Sequence, residues 1–563
     1  MPHQRTPLHT TRLLAASCAA FAITLLPAQE LKGRKWSHEK FGIALTIPPG
    51  FSEVPLQIDE KWIAAKFLSD KSYLSKDRDW NREHKPLMRV IVFSEKAKKS
   101  SGQEVHESED GKTTFVGIGS TPYQGYRDYV KRHRTGFFFS KEDEDTIGGS
   151  DCLMCEIDVH KSEPKLHLYS VVFRRPTFEL AVEFEALEDR KDKVEKHIRR
   201  CLDSIRFVEP VGATEASITG KKGGRRTSTR LWTAFRSEWD KRPIEERTEI
   251  RKDMEADHHR RVRKLTPDGW AMSESKHFFV VSHADKKFSE KMVKGAELFY
   301  TWCEKRFGEL GEDYVRRPVL RLCKDFDEYK AFHFDSSNST GWALSGADQE
   351  IGTYFDTSNG NSGRDVSILF GGILRHFLQE KDSHIISYTP YWLTWAVDNY
   401  VSEVYVKGRK LDFKVDGWAR DEARQMHRDG KLPKLQDLLT MSEAQFTKMR
   451  NKDNRANYAA SQALRYVLGP GKNEKAFKDF LYTYFEATIA VAEGHGKDWL
   501  KLDHKSAETE EEEEAQQKEY SKRTKERAKQ LQKEINEMVF ASMTDKKWEK
   551  HEKAYAKFVK KGK

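Results

Sequence analysis

The chain has 563 residues and a formal net charge of +10, from 99 lysines and arginines against 89 aspartates and glutamates. That length implies about two to four domains, and so small a surplus of charge excludes nothing but a strongly basic, dedicated nucleic-acid binder. Charged residues make up 33% and hydrophobic ones 37%, polar for a globular protein, yet 13 Trp and 32 Phe leave ample material for cores.

Residues 1–28 read as a secretion signal. Arg5 and Arg12 give a positive start, Leu13 to Leu26 is an apolar run without charge, and Pro27-Ala28 offers a small-residue cleavage point. The run is about 14 residues, short of the roughly 20 that span a bilayer, so cleavage is expected rather than anchoring. Cys18 is followed by more apolar sequence, which does not fit a lipoprotein. No later segment is apolar enough to cross a membrane, so an exported protein, periplasmic or extracellular, is expected. Loss of Arg5 and Arg12 would lower the charge from +10 to +8. The five remaining cysteines, Cys152, Cys155, Cys201, Cys303 and Cys323, are a poor count for a disulfide scaffold but leave room for one or two bridges. Cys152 and Cys155 sit in a strand-like run, where residues three apart face opposite sides, so they are read as structural rather than as a redox or metal pair.

Residues 31–208 read as one α+β domain. FGIALTIPPGF, Phe41 to Phe51, is a strand closed by a Pro-Pro-Gly turn; LMRVIVF, CLMCEIDVH, LHLYSVVF and FELAVEFEA are further β-rich runs. Lys191 to Phe207 is an amphipathic helix leading into a last strand. The linker 209–229 is rich in Gly, Ser, Thr and basic residues. A charged helix, 230–265, carries His258-His259 beside Arg260, Arg261, Arg263 and Lys264, either a grip for an anion or a solvated face. The second folded domain, 267–502, opens with the strand KHFFVVSH and the amphipathic helix Phe288 to Phe307. RPVLRLCKDFDEYKAFH then gives a strand and a short helix, and a mainly helical region follows the strand GTYFD. The segment 503–563 begins with Glu510 to Glu514 and shows only Leu531, Ile535 and Met538 as a narrow apolar stripe. It is read as a charged helical or partly disordered tail.

Two resemblances follow from these runs. The opening IPPGF and closing CLDSIRF of residues 31–208 resemble the PsbP-like α/β sandwich, whose members bind or scaffold. Residues 267–490 resemble the peptidase MA-like gluzincin domain: SKHFFVVS, RPVLRLCKDFDEYKAF, TPYWLTWAVDNYVS, KLPKLQDLLTMSEAQF and NYAASQALRYVL follow one another in that family's order. The expected fold is therefore α+β and multidomain: an antiparallel-sheet sandwich, then a small sheet with a mainly helical lobe, then the charged tail.

In gluzincins a helix carries HExxH, whose two histidines ligate zinc while the glutamate activates the bound water, and a glutamate on the next helix completes the ligand set. Placing His376 at the first histidine puts Phe377 at the catalytic glutamate, Glu380 at the second histidine and Trp395 at the third-ligand glutamate. A phenyl ring cannot activate water, and an indole would fill the space a metal needs. One reading keeps a different metal site: His376, Glu380 and His384 are spaced i, i+4, i+8 on one helical face, with Asp398 or Asp382 as helpers. Three residues rising about 12 Å along one helix cannot all close on one ion, so only neighbouring pairs could chelate. The plainer reading is an ordinary i, i+4 pair, contributing about 0.2–0.5 kcal/mol. Neither a G-x-S-x-G motif nor a P-loop is present.

The functional expectation is an exported, non-catalytic pseudo-metallopeptidase that binds or scaffolds, with no catalytic residue, no cofactor and an unidentified protein or peptide partner rather than nucleic acid. The alternatives are a divergent zinc-dependent hydrolase using His376 and Glu380, and an envelope protein whose charged tail docks to an acidic surface.

Overall fold

The computed structural model describes residues 29–57, 62–76, 83–94, 105–107, 114–116, 125–134, 136–162, 164–175, 178–207, 242–332, 350–355, 365–413, 417–495 and 510–562, with a few single residues between. The expected signal segment 1–28 and the linker 209–229 lie outside them. The chain divides into two compact units, one formed by 1–53, 61–101 and 121–223, the other by 54–60, 102–120 and 224–563.

In the first unit, β1 (Gln29–Lys32), β2 (Lys35–His38) and β3 (Ile43–Thr46) form a small sheet that takes β11 (Arg206–Phe207) at its edge. A seven-stranded sheet runs in the order β7 (Phe137–Ile147), β8 (Ser150–Val159), β9 (Leu166–Arg174), β10 (Phe178–Leu187), β6 (Leu87–Ser94), β5 (Ile63–Ser69), β4 (Phe51–Val54). Its pairs from β7 to β5 are antiparallel. The alternation in FELAVEFEAL explains the layering: Phe178, Leu180, Val182, Phe184 and Ala186 all point to one side. There they meet Val194, Ile198, Cys201 and Leu202 of α2 (Asp192–Asp203), together with Trp36, Ile43 and Leu45 of the small sheet. The α2 residues recur at i, i+4, i+7, i+8, one stripe of a helix.

The opposite face of that sheet is polar and buried. Arg89 Nη1 donates to Glu183 at 2.8 Å and to Glu185 at 3.1 Å, and Arg134 Nη2 donates to Glu185 at 2.7 Å. Tyr126, on α1 (Tyr126–His133), donates to Glu183 at 2.7 Å. Two guanidiniums facing two carboxylates keep the cluster near neutral, so the charges are tolerated without water. The five cysteines among the described residues are buried free thiols, and burial pushes Cys152 up to about 11 and Cys155 to about 12, the expected behaviour of structural rather than reactive cysteines.

The second unit opens with α3 (Ile244–Leu265) and a four-stranded sheet, β12 (Ala271–Glu274), β13 (Phe279–Ser282), β14 (Val319–Cys323), β15 (Glu350–Tyr354). β12 is antiparallel to β13, and the other two pairs are parallel. The β13–β14 crossover is α4 (Lys286–Phe307), capped by Asp285, whose carboxylate accepts the backbone N–H of Lys287 at 2.9 Å. α4 comes close to the segment before the next helices because position 295 is glycine: a Cβ there would lie 2.1 Å from Val366 Cγ1. After α5 (Phe326–Phe332) comes the helical lobe: α6 (Phe370–Lys381), α7 (Ser383–Tyr388), α8 (Tyr391–Ser402), α9 (Gly417–Arg428), α10 (Leu435–Thr440), α11 (Glu443–Lys452), α12 (Ala456–Leu468) and α13 (Phe480–Gly494). α6 packs on α4 and α8, and α8 on α12. The expected α+β, multidomain chain with a large antiparallel sheet and a helical C-terminal region is what the structure has.

Two expectations need correction. The helix carrying His258 and His259 is not a wholly solvated face: Glu255, His258, His259 and Val262 are buried. The segment 503–563 is not a mere extension either. Its described part forms α14 (Glu510–Val539) and α15 (Asp545–Lys561), and Ile535, Val539, Phe540, Trp548, Tyr555 and Val559 belong to the core of the helical lobe. Large aromatic residues at one per turn suffice to seat a helix whose other positions are charged.

Candidate functional site

The residues in question lie on α6, where the core-facing positions are Phe370, Ile373, Leu374, Phe377 and Leu378. Phe370 stacks on Phe299 with centroids 4.2 Å apart, and Phe377 meets Tyr300 edge-on at 5.4 Å. Phe377, at the position of the family's catalytic glutamate, is thus a core side chain. Trp395 on α8 is half-buried against the same core, edge-on to Tyr391 at 5.9 Å. The Arg450 guanidinium lies 5.9 Å from its ring centroid.

His376 and Glu380 are one turn apart and both buried, at 2% and 4% exposure. Their polar atoms face the segment before β14. Glu380 Oε1 accepts from Arg316 Nη2 at 2.7 Å. Its Oε2 accepts from Arg316 Nε at 2.9 Å, from Arg251 Nη2 at 2.9 Å and from the Arg316 backbone N–H at 3.2 Å. This is a bidentate fork reinforced by a second guanidinium. Arg251 comes from α3 and also donates to the Tyr314 carbonyl at 3.0 Å. His376 Nε2 lies 2.7 Å from the Arg316 carbonyl oxygen, an acceptor, so that nitrogen carries the proton and donates. The same segment is fastened from the α3 side by Glu255, which accepts from Arg317 Nε at 2.7 Å and from the Tyr314 hydroxyl at 2.9 Å.

The electrostatics follow. Burial alone would raise the Glu380 carboxyl, but Arg316 and then Arg251 outweigh it and hold the group well below the usual carboxylate range. Burial pulls the His376 imidazole down to about 4, more than the neighbouring Glu380 raises it. At neutral pH the pair is a neutral imidazole beside a carboxylate neutralised by arginines.

The other candidate ligands are placed elsewhere. The helix stops at Lys381, because Asp382 is extended and caps α7 by accepting the His384 N–H at 2.7 Å. The expected continuous face through His384 is therefore broken. His384 Nδ1 lies 3.0 Å from Asp382, and Asp398 pairs with Arg375 at 3.1 Å. Among the described residues, no group of three or more His, Cys, Asp and Glu side chains is placed to hold a metal ion. The sequence reading missed Arg316 and Arg251. The Arg316-Arg317 pair just before a strand was visible, but its buried partners Glu380 and Glu255 lie 64 residues ahead and 62 behind.

A pH test follows from His376. Its ordinary value is 6.5 and its value here about 4. The unfolded chain therefore takes up a proton between those values that the folded one refuses, and stability present above pH 6.5 is lost as pH falls towards 4. Over that interval the loss is about 3 kcal/mol at 1.36 kcal/mol per unit. Chemical denaturation across this window should show it, and His376→Gln should flatten the slope. An unchanged slope in the variant would assign the acid sensitivity to other groups.

No family model and no curated protein matches the chain. Among solved structures, it is similar to LpqN, involved in cell envelope biogenesis of Mycobacterium tuberculosis, at 13% identity over 30% of this chain and 83% of that one, with a TM-score of 0.20. The cyanobacterial PsbP, CyanoP, of Synechocystis is similar at 15% identity over 34% of this chain and 99% of that one, TM-score 0.20. A Bacteroides thetaiotaomicron protein covers 63% of this chain and is itself covered to 81%, at 8% identity and TM-score 0.18. Scores this low carry no argument about fold or function. The peptidase MA-like resemblance gains no support from them.

Proposed function

We propose that this protein is exported and non-catalytic, a degenerate gluzincin-like chain with a PsbP-like first unit, and that it acts by binding or scaffolding a protein or peptide. The observation that carries the reading is the Glu380 carboxylate engaged by Arg316 and Arg251. A zinc ligand must offer a lone pair to the metal, and a group held by two guanidiniums offers it at the cost of leaving both buried charges unpaired. Phe377 in the core and Trp395 half-buried agree with this, since neither can serve as base or ligand. Among the described residues no helix is long and apolar enough to cross a membrane, which accords with export.

Elemental mass spectrometry of the purified protein after zinc loading and dialysis tests the proposal. The expected content is far below one zinc per chain. Near-stoichiometric zinc that is lost in His376→Gln would overturn it in favour of the hydrolase reading, in which His376 and Glu380 hold the metal.

A further inference from the structure

α15 presents two unlike faces. Trp548, His551, Tyr555 and Val559 face the core, and the helix is fixed there by Glu552, which accepts the backbone N–H groups of Leu435 and Gln436, each at 2.8 Å. The outward side carries Lys546, Lys550, Lys553, Lys557 and Lys560, all exposed. Their spacing alternates four and three residues. At a mean of 3.5 the row drifts by only about 20° per heptad, so five ammonium groups stand in one nearly straight line about 21 Å long. None of them has a hydrogen bond or ion pair among the described residues. Lys547, which is not in the row, is the lysine of this helix that pairs, with Glu474 at 2.8 Å. The acids offset only part of the row: Glu552 is turned to its capping role, Asp545 lies off the row, and Glu549, three residues after Lys546 and four before Lys553, borders it and leaves a net surplus of positive charge.

We infer that this lysine row is a docking surface for an anionic phospholipid bilayer. Charge complementarity gives the sign of the partner, and the form of the row gives its shape. The helix is held rigidly, so the lysines meet a flat sheet of headgroups together without first being ordered. The aromatic residues of α15 that would stack on bases all face inward, unlike the interleaved aromatic platforms of single-strand binders. Duplex phosphates wind away from a straight row. No large apolar side chain stands among the lysines to insert into the acyl region, so attachment is peripheral and electrostatic. This goes beyond the binding role proposed above and does not depend on the state of His376 and Glu380.

The test is co-sedimentation of the full chain with phosphatidylcholine vesicles, with and without phosphatidylglycerol, at about 0.1 M salt. Binding is expected only with phosphatidylglycerol. The triple variant Lys550→Gln, Lys553→Gln, Lys557→Gln should weaken it on the order of a hundredfold, at roughly fivefold per lysine. A control triple of equal charge, Lys286→Gln, Lys287→Gln, Lys294→Gln, removes exposed lysines of α4 and should change it by no more than a few-fold. Equal losses from the two triples, no binding of phosphatidylglycerol vesicles by the native protein, or capture of duplex DNA with the vesicles ignored would each overturn the inference. Thermal melts of both triples should match the native protein. If the first melts early, native binding that survives about 1 M salt would overturn it, and binding abolished there would uphold it.

Discussion

Glu380→Ala is expected to destabilise the second unit by about 3–5 kcal/mol, the usual cost of removing one partner from a buried ion pair. The substitution leaves Arg316 and Arg251 facing each other with 16% and 11% side-chain exposure and no carboxylate between them. Glu380→Gln keeps the shape but not the charge and should recover only part of the loss. The informative comparison is the triple Glu380→Leu, Arg316→Met, Arg251→Met. Apolar residues of similar volume can replace a buried ionic cluster at little cost or with gain, so the triple should be far more stable than Glu380→Ala alone. The His376 hydrogen bond goes to a backbone carbonyl and survives in all three proteins. Urea unfolding followed by tryptophan fluorescence measures the series. A Glu380→Ala protein within about 1 kcal/mol of native would mean that the arginine clamp is not a principal tie between α6 and the segment before β14.

How much of this was legible beforehand depended on the range over which the signal acts. The alternation in FELAVEFEAL and the i, i+4, i+7, i+8 stripe of α2 are local patterns, and both appear where the sequence placed them. That His376 and Trp395 sit on different helices, α6 and α8, was readable from the sequence. The break at Asp382 was not, because a residue that can cap a new helix can also sit on the surface of a continuing one, and only the backbone decides. Glu380 looked like half of an i, i+4 pair because Arg316 and Arg251 are distant in sequence. A single sequence gives no means of pairing a carboxylate with guanidiniums so far off. The polar cluster of Arg89, Glu183 and Glu185 was hidden for the same reason: on single strands these residues read as the solvent side of an alternation. The tail misled by composition. Its many charges obscure the spacing of Trp548, His551, Tyr555 and Val559, about one per turn, whose rings pack as apolar surface.

That last point sets up the second large effect. Tyr555→Ala should lower stability by about 3–5 kcal/mol, as for other buried aromatic residues cut to alanine. The side chain is 1% exposed, its ring lies 5.7 Å from that of Tyr466, and its hydroxyl donates to the Ala459 carbonyl at 3.1 Å. Removal of residues 545–563 goes further. It takes away Trp548 and Val559 as well, the hydrogen bond of His551 with the Tyr466 hydroxyl at 2.8 Å, and the Glu552 cap on α10. The exposed floor would be an apolar strip of Tyr466, Phe477 and Phe540, packed in the intact protein against residues of α15. The truncated chain should therefore aggregate or lose its cooperative thermal transition, whereas a solvated appendage would leave the melt untouched. Scanning calorimetry of native, Tyr555→Ala and truncated proteins separates the two outcomes. A truncated protein that melts as the native does would return α15 to the status of an appendage and detach the lysine row from the fold. A graded loss, moderate for Tyr555→Ala and complete for the truncation, would mean that the same helix that turns its lysines outward also closes the core of the lobe.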